Sequence, residues 1–206
     1  MLTMTKSVFE PSIKSRPVYG TLAARPGKAH LMIADAEGAE AILDMAQTAL
    51  EGLFAKTQIM FIPKATGDTY VRPLQALKPA QFYVGPSYTA SVSRLRRVLA
   101  DAHMGLQIYL AGTEGLIGQA MFEAVSAGIP HTALQTEHRG STARRMQCVH
   151  CKGITEDVTT DPFQCAHCGL HLFVRDHYSR RIAAFQGVRI DAEDPGNVPI
   201  PVERFK

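Results

Sequence analysis

"AHLMIADAEGAEAILDMAQTALEGLF", residues 29–54, decides the fold. Residues 29–35 are a short β-like run, and from Glu37 onward Ala41, Ile42, Met45, Ala49, Leu50 and Leu53 recur at helical spacing. A strand that passes directly into an amphipathic helix is the repeating unit of a parallel sheet, and the unit recurs downstream. "TQIMFIP" (57–63), "QFYVG" (81–85), "LQIYLAG" (106–112) and "HTALQTE" (131–137) read as four further strands. Between them, "TGDTYVRPLQALK" (66–78) reads as a loop with a short helix. "SYTASVSRLRRVLADA" (87–102) is a helix with Val92, Leu95, Val98 and Leu99 on one face, and "TEGLIGQAMFEAVSAGIP" (113–130) starts on a Thr113 cap and stops at Gly128 before Pro130. Strict alternation predicts a five-stranded, parallel, doubly wound α/β sheet with right-handed crossovers, whose ligand crevice lies at the carboxyl ends of the strands.

That pattern ends at "HRGSTARR" (138–145), a polar, basic linker. All four cysteines follow within "CVHCKGITEDVTTDPFQCAHCGL" (148–170) as two Cys-x-x-Cys pairs separated by thirteen residues. Each pair directs two sulfurs toward one point, and two such turns joined by a hairpin over 153–163 make a tetrahedral site, so Cys148, Cys151, Cys165 and Cys168 are the expected ligands of a structural zinc. The [2Fe–2S] spacing of plant-type ferredoxins is absent, although four thiolates also suit a single iron. His150 and His167 lie inside the turns and His171 just beyond, so none is expected to bind the ion. The predicted organisation is an amino-terminal arm (1–20), the α/β domain (21–140), a zinc ribbon (141–190) and a Pro-rich tail (191–206) without a core of its own.

The chain of 206 residues, 46% hydrophobic and 20% charged, is long enough to bury a core without disulfides. No run is apolar and long enough for a membrane span, and the first twenty residues lack a signal-peptide pattern, which makes the cytoplasm the expected compartment. A formal charge of +3 does not by itself indicate nucleic acid.

"HLMIADAEGAEAILDMAQTAL" (30–50) and "YLAGTEGLIGQAMFEAVSAGIP" (109–130) resemble the two ends of the pyridine-nucleotide domain of ferredoxin-reductase-type flavoproteins. Where that family carries a Gly-Gly-x-Gly turn, this chain reads Ala34, Asp35, Ala36, Glu37, Gly38. Two carboxylates are thus expected in the phosphate approach, where each like-charge contact near 4 Å costs about 1 kcal/mol in water and about 4 at an effective dielectric of 20. Ala111 stands where the family has a cysteine beside the nicotinamide, and Thr113 replaces a proline. The resemblance therefore implies a retained fold with abandoned dinucleotide chemistry. "LFVRDHYSRRIAAFQGV" (172–188) has the composition of an interface, with Arg175, His177, Tyr178, Arg180, Arg181 and Phe185 as candidate partner-binding residues.

Together with "QCVHC" and "DVTTDPFQCAHCGL", that stretch resembles the small zinc-ribbon subunit of bacterial dimethylamine monooxygenase. The resemblance implies a non-catalytic assembly subunit of an enzyme that uses NADPH and O₂ to demethylate dimethylamine to methylamine and formaldehyde. Haem, flavin and iron–sulfur centres would then reside in partner subunits, a haem oxygenase and a flavin/iron–sulfur reductase. Two other readings stay open: a zinc-ribbon nucleic-acid adaptor contacting phosphates through Arg139, Arg144, Arg145, Arg180 and Arg181, and an NAD(P)-binding reductase component.

Overall fold

The computed structural model describes residues 15–206; most of the expected amino-terminal arm lies outside them. Strand β1 (Ala29–Asp35), helix α1 (Gly38–Ala46), β2 (Thr57–Ile62), α2 (Val71–Ala76), β3 (Gln81–Val84), α3 (Tyr88–Ala100), β4 (Leu106–Gly112), α4 (Glu114–Ser126) and β5 (Leu134–His138) follow one another in the predicted alternation. Every strand pair is parallel, in the order β3-β2-β1-β4-β5. β1 is central and buried from His30 to Asp35, since helices cover both faces. Met32 and Ala34 join Ile42, Phe61, Leu74 and Tyr109 on one side. Leu31 and Ile33 join Leu95, Leu110 and Ile117 on the other. The strand order reverses between β1 and β4, so the crevice opens beyond Asp35 and Gly112. Residues 20–25 run along β5, with Gly20 N–H donating to Thr136 O and Gln135 exchanging two hydrogen bonds with Ala23.

Helix α1 is shorter than its apolar spacing predicts. It ends at Ala46, Thr48 turns back onto Met45 O, and Gly52 takes φ +75°, leaving Leu50 63% exposed. Leu53 is buried all the same, because a 3₁₀ turn over 54–56 returns the chain to β2.

The second sheet contains β6 (Arg144–Cys148), β7 (Ile154–Val158), β9 (Phe163–Gln164), β10 (His171–Ser179) and β11 (Ala184–Arg189), ordered β7-β6-β11-β10-β9. Two predictions are corrected here. Arg144 and Arg145 belong to β6, so the connection between sheets is 139–143 only. Residues 153–163 do not form a hairpin: β7 and β9 lie at opposite edges, because Leu172 and Phe185 of the central strands supply the core and the chain must cross around them.

The tail, expected to lack a core of its own, is tied to the chain by strand pairing. β12 (Val202–Glu203) pairs with β8 (Thr160–Asp161), and Arg204 donates to Asp161. Phe205 stacks on the Arg144 guanidinium at 4.2 Å, opposite Phe185 at 4.2 Å, while Asp176 accepts from Arg144 at 2.7 Å. A buried cation is thereby supplied with two ring faces and a counter-ion. Among the described residues no helix is long and apolar enough to cross a membrane.

Candidate metal centre and the adjoining crevice

Two strand ends carry matching turns. In the first, Cys148 N–H donates to Gly153 O and Lys152 N–H to Cys148 O; in the second, Cys165 N–H donates to Leu170 O and Gly169 N–H to Cys165 O. The fourth residue after each leading cysteine is left-handed, Lys152 at φ +63° and Gly169 at φ +73°. Gly153 answers a different need, since a Cβ there would lie 2.4 Å from the His167 ring. That ring bonds Ile154 O at 2.7 Å and locks one turn to the other.

The four Sγ atoms lie within 4.8 Å of one another, with Cys148 to Cys168 at 3.8 Å and Cys151 to Cys165 at 3.7 Å. A tetrahedron of sulfurs about 2.3 Å from a central ion has edges of about 3.8 Å, so the cluster has the dimensions to hold a metal. Desolvation raises the Cys165 thiol, but the N–H groups of Cys168 and His167 and the neighbouring sulfurs bring it down to about 6. At Cys168 the Leu170 N–H acts downward, while burial and the other three sulfurs push it up to about 12. Four thiolates so close repel one another, and a cation at their centre allows all to ionise. The residues grouped closely enough to hold an ion are the four cysteines, and the neighbouring histidines stand outside that group.

The crevice of the first sheet is built differently from the sequence expectation. Ala36, at φ +44°, bends the chain so that Asp35 points inward and is fully buried. Its carboxylate accepts Thr113 N–H at 2.7 Å, Thr113 Oγ1 at 2.6 Å and Lys64 Nζ at 2.6 Å. Repulsion from Asp35 is therefore not what obstructs the turn, because Lys64 neutralises it. Instead the carboxylate takes up the Thr113 N–H and fills the space over β4. A Cβ on Gly112, whose φ is +123°, would sit 1.9 Å from Asp35 Oδ1, and one on Gly38 would sit 2.3 Å from Ala111 O. Across the crevice stand Arg145, Glu156 and Asp157 of the second sheet, enclosing about 210 Å³ with Lys64, Ser87 and Thr113. Arg145 and Glu156 form an ion pair there, and burial raises the Glu156 carboxyl.

Thr113 also caps α4 through Leu116 N–H. Thr113→Val should lower the unfolding free energy by about 2–3 kcal/mol, combining one hydrogen bond to a buried charge with a lost cap, whereas Thr113→Ser should retain most of it. Urea unfolding of the two variants checks this; equal losses would contradict it.

The candidate partner-binding residues divide. Arg175, His177, Arg180 and Arg181 are exposed. Tyr178 and Phe185 are buried, at 8% and 1% exposure, with rings 4.9 Å apart, and so anchor a contact inside the chain. A β-carbon on Gly118 of α4 would lie 2.1 Å from Tyr178 Oη and 2.8 Å from Ala183 Cβ, which makes Gly118 the point where the sheets' layers meet. Sequence reasoning passed over Gly118. Its signal was a glycine in mid-helix, which costs about 1 kcal/mol against alanine and needs a packing reason. Arg139, Arg144 and Arg145 are each committed to acidic side chains within the chain.

Architecture and site thus define a doubly wound α/β domain coupled to a module whose four clustered cysteines could hold a metal ion. The sequence matches the "Dimethylamine monooxygenase subunit DmmA-like" N-terminal domain over residues 11–134 and the corresponding C-terminal domain over 145–188. The chain belongs to the DmmA-like family. Over 101 residues it is 32% identical to the heme-dependent oxidative N-demethylase delta subunit of Ectopseudomonas mendocina (strain ymp), a match covering 49% of this chain and 58% of that protein, less than two thirds of its length. Solved structures that align include phthalate dioxygenase reductase (TM-score 0.47, 13% identity, 68% of this chain and 46% of that one). The flavohem-like FAD/NAD binding domain of nitric oxide dioxygenase from Vibrio cholerae O1 biovar El Tor also aligns (TM-score 0.42, 14% identity, 60% and 56%).

Proposed function

We propose that this chain is a non-catalytic organising subunit of an oxidative N-demethylase acting on dimethylamine. The membership of both its domains in the DmmA-like family carries this reading. In it, Cys148, Cys151, Cys165 and Cys168 hold a structural zinc, which with four protein sulfurs has no position open to water or substrate. Haem, flavin and iron–sulfur chemistry, with NADPH and O₂, belongs to a haem oxygenase and a flavin/iron–sulfur reductase subunit, and the exposed Arg175, His177, Arg180 and Arg181 face them.

Two features support a supporting role over a dinucleotide-binding one. The crevice volume of about 210 Å³ falls below the ~300 Å³ at which pockets for drug-sized ligands begin, and the Thr113 N–H is already occupied by Asp35. A nucleic-acid role loses three of its five candidate arginines to internal ion pairs.

The test is reconstitution. With purified partner subunits, turnover of dimethylamine and NADPH should fall at least tenfold when this chain is omitted, and the isolated chain should show no saturable NADPH binding below about 100 μM, a binding free energy near 5–6 kcal/mol. Full turnover in its absence would remove the reading, and tight NADPH binding would replace it with a reductase role.

A further inference from the structure

One groove of about 390 Å³ runs between residues 17–19, the outer face of α4 and the turn joining β10 to β11. Its apolar surface is unusually open: Val18 is 91% exposed, Phe122 40% and Val125 39%. Phe122 and Val125 are spaced i, i+3 along α4, a ridge of the kind that another helix accepts between its own rows. Arg180 and Arg181 line the same groove, and neither forms an ion pair among the described residues. The acidic groups nearby are both hydrogen-bonded, but only Glu123 is paired with a cation, while Glu114 keeps its charge. Glu114 accepts from Tyr19 Oη at 2.9 Å, and Glu123 accepts twice from Arg96, at 2.8 and 2.6 Å. The groove therefore presents an apolar floor beside two guanidinium groups facing one unpaired carboxylate, a net positive charge.

From this we infer that the groove receives an amphipathic helix of a partner subunit, with an apolar stripe against Val18, Phe122 and Val125 and acidic side chains against Arg180 and Arg181. The inference rests on the reading of this chain as a subunit of a complex. A second copy does not suit the site. Self-complementary pairing of two identical grooves would bring the arginines toward one another, and like charges across an interface disfavour association. An acidic amphipathic segment satisfies both halves of the surface at once, in the manner of helix-in-groove recognition.

The experiment uses the full chain and the purified partner subunits of the reconstituted complex. Val125→Glu, and separately Arg180→Glu with Arg181→Glu, should each weaken association at least tenfold by sedimentation velocity. Leu50→Asp, at a position 63% exposed just after α1 on the other face of the first sheet, should leave it unchanged. Phe122 replaced by p-benzoylphenylalanine should crosslink to one partner peptide carrying apolar residues and Asp or Glu, an arm that decides the matter even if Val125→Glu fails to fold. Groove variants that assemble like the wild type, or crosslinks to a peptide without acidic residues, overturn the groove while the subunit reading stands. Absence of assembly by the wild-type chain overturns the subunit reading and the groove with it. Self-association of the isolated chain that Val125→Glu abolishes identifies the occupant as a second copy and overturns the inference.

Discussion

Cys165→Ser is expected to abolish metal binding and unfold the second sheet while leaving the first in place. Cys165 and Cys148 are 2% and 1% exposed and belong to the core that contains Met146, Phe163, Leu172 and Phe185. Serine would remove one of four thiolates and leave a hydroxyl inside that core. Structural zinc supplies on the order of 10–16 kcal/mol of apparent folding free energy in small modules, more than a sheet with so few large buried side chains can replace. Both cores of the first sheet consist of residues from 22 to 134, so they do not depend on the ion. Hydrogen exchange should show amides of 144–189 losing protection, with those of β1, β2 and β4 nearly unchanged, and elemental analysis should show loss of stoichiometric metal. Unaltered protection together with retained metal would contradict the assignment of ligands.

Gly118→Leu should part the two sheets at α4. The first side-chain carbon already overlaps Tyr178 Oη and Ala183 Cβ, and Ala183, fully buried at φ +52°, is held by backbone geometry and cannot yield as a flexible side chain would. Helix propensity pulls the other way, because leucine favours α4 over glycine by a little under 1 kcal/mol. Overpacking at a buried contact costs about 1–3 kcal/mol and more where backbone must move, so the net expectation is destabilisation near 2 kcal/mol with a displaced second sheet. Two readouts separate this from general unfolding. Tyr178, whose hydroxyl burial pushes up to about 12, should titrate nearer the ordinary tyrosine range once exposed, and protease should cut within 139–143. Gly118→Ala should give a smaller effect in the same direction. Stability gained without either change would mean that the contact at Gly118 is dispensable.

Strand and helix order was legible from residue 29 to 138 because local period and partner coincide there. "AHLMIAD" is apolar from Leu31 to Ala34, as the middle of a strand buried on both faces must be, and Thr113 with Gly128 marks the ends of α4. The cysteine turns were legible for a similar reason, since two residues of spacing bring two sulfurs together whatever lies around them. Elements that depend on distant segments were not. Residues 153–163 have hairpin composition, yet their partners β6 and β10 lie on either side of a central strand that comes later in the chain. Val202 and Glu203 pair with β8, far back in the chain, beside Phe205 on the Arg144 guanidinium and Arg204 on Asp161.

By itself, then, the sequence determined a doubly wound sheet, four convergent sulfurs and a nucleotide turn without its glycines, all features set by residues close together in the chain. Only the tertiary structure decided that Asp35 turns inward to Thr113 and Lys64, that Tyr178 and Phe185 face into the protein, and that Gly118 is the contact point of the two sheets. Asp35 meets Thr113 from 78 residues away, and Gly118 meets Tyr178 across two different sheets; no local periodicity encodes those meetings.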